Sequence, residues 1–353
     1  MNVRLLHQLP PAPGNPRNSE GAFLRGKKGA ILFAYSRYHG QSFHDHASCD
    51  IALLVSHDEG RSWSDPRIIA SASAFGTQNV MSVSAVEQLD GRLAFYFLIK
   101  ENDFTTTLGR AISADGETFT VERCAAHFPA AYYVVNNDRI VRLADGRLVA
   151  PASYVSAENN RNGTHHEMVA TALVSDDDGE SFYKADFDFT TTDPVNFRYG
   201  HQEPGIVAYP DGLYLWTRTG YGCQYETFST SGLEGFFQPR PSEFTSPPSP
   251  MQIKMVGDTA YAVYNPIPRY NGREMLPGTW GRTPIVLRKS TDGGKTYGKL
   301  NVIEDDPARG YCYPAIFATN DGRLLLAYCR GDETDGNTLC RLGIAEVDIE
   351  SIQ

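Results

Sequence analysis

Short apolar runs broken by Gly- and Asp-containing turns dominate the chain, and no stretch keeps a helical period. One pattern occurs six times, a turn glycine feeding an apolar run: Gly29 (AILFAYS), Gly91 (RLAFYFLIK), Gly146 (RLVAPASY), Gly212 (LYLWTRT), Gly257 (DTAYAVYN) and Gly322 (RLLLAYC). Runs of this length, rich in β-branched and aromatic residues, predict strands. Another strand-like run precedes each, such as NVMSVSAVEQ, YYVVNNDRIVRL or YPAIFAT. A third often follows, such as DIALLVS, MVATALVS or PIVLRKS.

Those third runs lead into a second repeat, Ser-x-Asp-x-Gly-x-Ser/Thr-aromatic. It is complete at Ser56–Trp63, Ser175–Phe182 and Ser290–Tyr297, one residue short at Ser113–Phe119, and degraded near Ser229 to Phe236. The starts at 56, 113, 175, 229 and 290 leave intervals of 57, 62, 54 and 61 residues. Ser and Asp side chains bond the amides of a tight turn, Gly supplies the positive φ, and the aromatic pins the turn between strands. Each unit thus reads strand, turn, strand, loop, strand, acidic turn, strand. Four-stranded sheets repeated radially are propeller blades. The expected fold is all-β, a six-bladed β-propeller forming a single domain over residues 1–353. The last unit lacks the acidic turn, so LCRLGIAEVDI and the N-terminal VRLLHQL are expected to close the ring together.

Composition adds exclusions. A formal net charge of −10 without a basic face argues against nucleic-acid or anionic-membrane partners. The N-terminal MNVRLLHQLPPAPG lacks the apolar core of a signal peptide, and no later run approaches a membrane span, so a cytoplasmic location is expected. Cys49, Cys124, Cys223, Cys312, Cys329 and Cys340 are scattered without a CxxC pair, which reads as reduced thiols.

In a propeller, loops entering first strands and leaving second strands meet on one face. Those entering carry Arg17–Glu20, Gln78-Asn79, Asn136–Arg139, His201–Glu203, Pro248-Ser249 and Tyr311–Tyr313. Those leaving carry Arg37, Lys100–Asp103, Tyr154, Arg218, Asn265 and Arg330. A purely structural channel does not need so many polar groups converging, so a functional site is expected there.

These segments bear a residue-specific resemblance to the sialidase (neuraminidase) superfamily, whose Asp-box the Ser-x-Asp-x-Gly turn resembles. HQEPGIVAYPDGLYLWTRT is similar to the family's glutamate stretch with an arginine one strand later, which implies Glu203 and the carboxylate-binding Arg218. WGRTPIVLRKSTDGGKTY resembles the stretch with a further arginine, Arg282, and GYCYPAIFATNDGRLLLAY the one with the tyrosine nucleophile, Tyr313. AYSRYHGQSFHDHASCDIALLVS resembles the first-blade loop, implying Arg37 beside the acid loop and Asp45 as catalytic acid. The implied activity is exo-acting hydrolysis of a terminal acidic, sialic-acid-like sugar, without cofactor. Tyrosine suits an anomeric centre bearing a carboxylate, because a neutral phenol avoids charge repulsion, and an adjacent carboxylate activates it. One departure stands out: where the family has Arg-Ile-Pro, this chain has Ser19-Glu20-Gly21, with Arg17 two residues away from that position as a possible substitute.

Alternatives remain open on the residues alone. The same pocket suits a glycosidase or lyase for a uronic or neutral sugar, or a non-catalytic carbohydrate binder. Asp50 shares the Asp45 loop and competes for its role, or holds a turn. His44-Asp45-His46 and His165-His166 lack metal-ligand spacing, so no metal is expected. The sequon Asn162-Gly163-Thr164 reads as a turn.

Overall fold

A computed structural model describes residues 1–155, 160, 167–191, 199–270 and 272–353. The sequon and His165-His166 lie outside them. Six antiparallel sheets, blades I to VI, follow one another along the chain and around the ring. Blade I comprises Asn18–Arg25, Ile31–Tyr38, Cys49–Ser56 and Arg67–Ala70, from the axis outward. Blades II, IV and V repeat that meander, with inner strands Val80–Glu87, Gln202–Tyr209 and Gln252–Val256. In blade III the inner segment pairs in two pieces, Tyr132–Val134 and Val141–Arg142. Ala125–His127, on the connection from blade II, adds a parallel strand outside blade III. Blade VI holds Cys312–Ala318, Arg323–Cys329 and Leu342–Asp348, and its outer strand is the N-terminal Val3–Leu9, as expected.

The sequence pattern explains the core. Successive strand residues point to opposite faces, and here both faces of each blade meet a neighbour. Ile31, Phe33 and Tyr35 of blade I pack toward blade VI, while Leu32 and Ala34 pack toward blade II. One apolar layer of this kind fills each of the six blade–blade interfaces. That is why the second strands read as nearly continuous apolar runs. All six predicted turn glycines have positive φ, from 57° at Gly257 to 154° at Gly212.

The acidic turns join third to outer strands, at the end of each blade away from the loops that enter the inner strands. The three complete copies share one bonding pattern. At Ser56, the hydroxyl donates to Asp58 Oδ1 at 2.8 Å and accepts from the Gly60 amide at 2.8 Å, while Asp58 accepts from the Ser62 amide at 2.9 Å. Ser175 and Ser290 repeat it, and Ser113 keeps it with one residue fewer. Near Ser229 only the serine end survives, bonding the Ser231 amide at 3.1 Å. All six cysteines are free. No helix of the described residues is long and apolar enough to cross a membrane.

The closing strand supplies the fold's main testable dependence. Val3 and Leu5 pack into the V–VI layer and Leu6 and Leu9 into the VI–I layer. Deleting residues 1–9 uncovers these layers and leaves Leu342–Asp348 as a bare edge. The midpoint of thermal unfolding is expected to fall by roughly 5–15 °C, with aggregation on heating. An unchanged melt would show that the ring does not depend on this closure.

Candidate active site

Four inner strands open with the same irregularity. The ladder register shifts between Ser19 and Ala22, Met81 and Ser84, Gln202 and Gly205, and Cys312 and Ala315. Within each shift one residue has positive φ: Glu20 (54°), Ser82 (61°), Glu203 (45°) and Tyr313 (54°). Asp138 (55°) holds the corresponding place in blade III. Such left-handed residues cost about 1–2 kcal/mol each for L side chains, and they cluster where function over-determines the backbone. The following residue is Gly21, Pro204 or Pro314 in three cases. Proline has no amide to give the ladder, and a Cβ on Gly21 would stand 2.3 Å from Phe33, so the chain favours a break there.

Glu20, Ser82, Glu203 and Tyr313 line a cavity of about 440 Å³ at the axis. Tyr313 donates its hydroxyl to Glu203 Oε1 at 2.9 Å, and Arg218 donates to Glu203 Oε2 at 2.7 Å. Burial raises the Glu203 carboxyl, but Arg218 first, then Arg282 and the Tyr313 hydroxyl, outweigh it and hold the group below its ordinary range. Burial and the Glu203 charge push the Tyr313 phenol well above its ordinary value, against the pull of Arg282 and Arg218.

Arg282 stands between two rings, 4.9 Å from the Trp280 centroid and 5.8 Å from that of Tyr313. One nitrogen donates to the Pro248 carbonyl at 3.2 Å. Its Nε and Nη1, both buried, meet no hydrogen-bond partner among the described residues. A buried guanidinium on the cavity wall that is hydrogen-bonded to no carboxylate is suited to an anionic ligand group.

Asp45 borders the mouth, on the loop between the second and third strands of blade I, with its side chain 59% exposed. Arg17 donates to its Oδ1 at 2.6 Å. Partial removal from water works against ionisation, but Arg17 and Lys100 outweigh it and hold the carboxyl well below the usual range. Asp50 does not line the cavity: it accepts from Ser71 and from the Ala72 amide at 2.8 Å, anchoring a turn.

Asp45, Glu203, Tyr313, Arg218, Arg282 and Glu20 therefore converge. Arg17 and Arg37 do not line the cavity. Arg17 is 1% exposed and engaged through all three nitrogens, to Ser19, to Phe43 O and Asp45, and to Glu20, above the Tyr38 ring. It ties two acidic groups together instead of facing the cavity. Arg37 shares a strand face with Phe33 and Tyr35, the face turned to blade VI. Lys100, Arg269 and Trp280 line the cavity without a role read from sequence. Lys100 was visible as a converging residue, whereas Arg269 and Trp280 sit on a long blade V loop with no periodic signal. Among the described residues no three His, Cys, Asp or Glu side chains are grouped to hold a metal ion.

Residues 32–326 match the family model of the BNR repeat-like domain. No curated protein matches the chain. Among solved structures, the Hadza microbial sialidase Hz136 is similar at a TM-score of 0.73 and 14% identity, covering 96% of this chain and 67% of that one. The NanB sialidase of Streptococcus pneumoniae gives 0.72 and 13%, covering 99% and 71%. A protein of unknown function from Dyadobacter fermentans gives 0.70 and 15%, covering 98% and 99%. The family match shows that the chain belongs to the BNR repeat-like domain family, and the solved structures show that it shares the six-bladed fold of these sialidases.

Proposed function

We propose that this protein is an exo-acting glycoside hydrolase for a terminal acidic, sialic-acid-like sugar. The observation that carries the reading is the Tyr313–Glu203 hydrogen bond of 2.9 Å inside the axial cavity. A phenol is a weak nucleophile at neutral pH and needs such a base. A cavity of about 440 Å³ suits one terminal sugar unit, which favours exo action. Arg282, hydrogen-bonded to no carboxylate, and Arg218, both on the cavity wall, supply a place for the sugar's carboxylate.

The Tyr313 oxygen bonds the anomeric carbon while its proton passes to Glu203 Oε1. The bond to the leaving oxygen breaks, and that oxygen takes the Asp45 proton. Water then attacks the anomeric carbon as its bond to the Tyr313 oxygen breaks; Asp45 takes the water's proton, and Glu203 returns a proton to the released Tyr313 oxygen. Because the resting phenol resists ionisation, its proton must move as the new bond forms. Arg218, bonded to Glu203, keeps the carboxylate aimed at the hydroxyl.

A second reading, a glycosidase for a uronic or neutral sugar, is favoured by Glu20, an acidic residue on the axis where an arginine would strengthen carboxylate binding.

Two outcomes test the proposal. On a panel of 4-methylumbelliferyl sialosides, uronides and neutral glycosides, Tyr313→Phe is expected to lower kcat/KM roughly a thousandfold or more, and Glu203→Gln about 10²–10⁴-fold. Full activity in Tyr313→Phe, with the wild-type melt, would leave a binding protein or another chemistry. The second outcome concerns pH. Asp45 is held low, so its protonated, acid-competent form is lost as pH rises, and activity is expected to be highest on the acid side. Lys100 is one of the cations that depress it. Lys100→Met therefore raises the Asp45 carboxyl and moves the alkaline limb of kcat/KM to higher pH. A limb that stays put, or moves down, removes Asp45 from the acid role.

A further inference from the structure

Asp45 sits on the loop 39–48, between the second and third strands of blade I, and none of these residues is buried. Hydrogen bonds therefore fix this loop more than packing does. The Asp45 carboxylate is hydrogen-bonded to Arg17 alone among the described residues. A proton donor must stay within about 3 Å of the oxygen it serves. Whatever fixes the Asp45 main chain thus decides where its proton is delivered.

Asp45 and His46 are the central residues of a tight turn, closed by the Ala47 amide on the His44 carbonyl at 2.8 Å. The main chain of that turn is held from blade II. Asn79 Nδ2 donates to the Asp45 carbonyl at 3.1 Å and to the Ala47 carbonyl at 2.5 Å, so both of its hydrogens serve one turn. Lys100 Nζ donates to the same Asp45 carbonyl at 2.5 Å. Gln78 Nε2 reaches the His46 carbonyl at 3.2 Å, and the Gln78 carbonyl accepts from the Cys49 amide at 3.0 Å.

Asn79 itself is firmly placed. It is 1% exposed, it immediately precedes the inner strand Val80–Glu87, and its carbonyl accepts from the Lys100 amide at 3.1 Å. The side chain carries the position of the blade II backbone across the blade interface to the acid. Lys100 does so with a charge, which also favours the ionised Asp45 carboxyl. Asn79 is neutral and its amide nitrogen meets only main-chain carbonyls, so it sets place without setting charge. It does not line the axial cavity.

We infer that Asn79 is a positioning residue for the proton donor: it staples the His44–Ala47 turn to blade II and so aims Asp45 at the leaving oxygen. This deepens the proposed function and rests on Asp45 as its acid. A sugar leaving group needs a proton as it departs, whereas a 4-methylumbelliferyl group leaves as a stabilised phenolate without one. A misaimed acid slows the first and spares the second. General damage to the fold slows both.

The test compares kcat/KM on two substrates with one terminal sugar, sialyllactose and 4-methylumbelliferyl sialoside, with a glucuronyl disaccharide and 4-methylumbelliferyl glucuronide as a second pair. This ratio covers the steps up to departure of the leaving group, so the later base role of Asp45 does not enter. The proteins are wild type, Asp45→Asn, Asn79→Ala and Asn79→Leu. Asn79→Leu keeps much of the side-chain shape and removes the enclosed, unbonded Oδ1, and thermal melts identify any variant that fails to fold. Asp45→Asn is the reference, expected to lose about 10²–10⁴-fold on the disaccharide and far less on the aryl glycoside. Folded Asn79 variants are expected to lose about tenfold to a hundredfold on the disaccharide and about threefold or less on the aryl glycoside, with KM nearly unchanged. Equal losses on both substrates, no loss on the disaccharide, or failure of both Asn79 variants to fold overturns the inference, while the contrast in Asp45→Asn keeps the hydrolase reading. Absence of that contrast in Asp45→Asn removes Asp45 as the acid, and a wild type that cleaves neither pair removes the hydrolase. Either result takes the role of Asn79 with it, and the two controls tell these failures apart from its own.

Discussion

The site depends on one backbone device, the left-handed break at the start of the inner strands. A regular inner strand would send alternate side chains into the two blade interfaces and none to the axis. The register shifts at Glu20, Ser82, Glu203 and Tyr313 turn one side chain per blade inward instead. The six apolar layers make this strain tolerable by holding each strand from both sides. Blade III adds a lock. Asp138 accepts from Lys254 of blade V at 2.7 Å and from the Ile316 amide of blade VI at 3.1 Å, so the inner strands are fixed relative to one another.

On that frame the charges are arranged as coupled groups. Glu203 is shared by Tyr313 and Arg218, and Arg17 is shared by Glu20 and Asp45. Burying any one of these ions alone would be costly, whereas within the groups each has a partner. Arg282 has no such carboxylate partner and is held by two aromatic rings and a carbonyl. The proposed carboxylate site rests on it. The depressed Asp45 carboxyl follows from the same economy: the arginine that anchors its loop also favours its charged form.

The fold was legible because its period is written twice, in the turn glycines and in the Ser-x-Asp turns, and both repeats set local geometry directly. Glu203, Arg218 and Tyr313 were legible because a strand position fixes where a side chain starts, and Arg282 because it stands just before the strand Ile285–Ser290. Arg17 and Arg37 were not. Arg17 lies next to the axis in sequence, but its guanidinium is drawn between Asp45 and Glu20, and strand parity turns Arg37 toward blade VI. Arg269 and Trp280 come from a loop whose path no periodicity encodes.

The central claim is that the axial phenol attacks the sugar. Incubating the protein with 2,3-difluorosialic acid, digesting it and weighing its peptides by mass spectrometry tests this directly. The account predicts a glycosyl adduct on the peptide carrying Tyr313, absent from Tyr313→Phe. An adduct on another residue, or steady hydrolysis of a sialoside with no adduct at Tyr313, would contradict it.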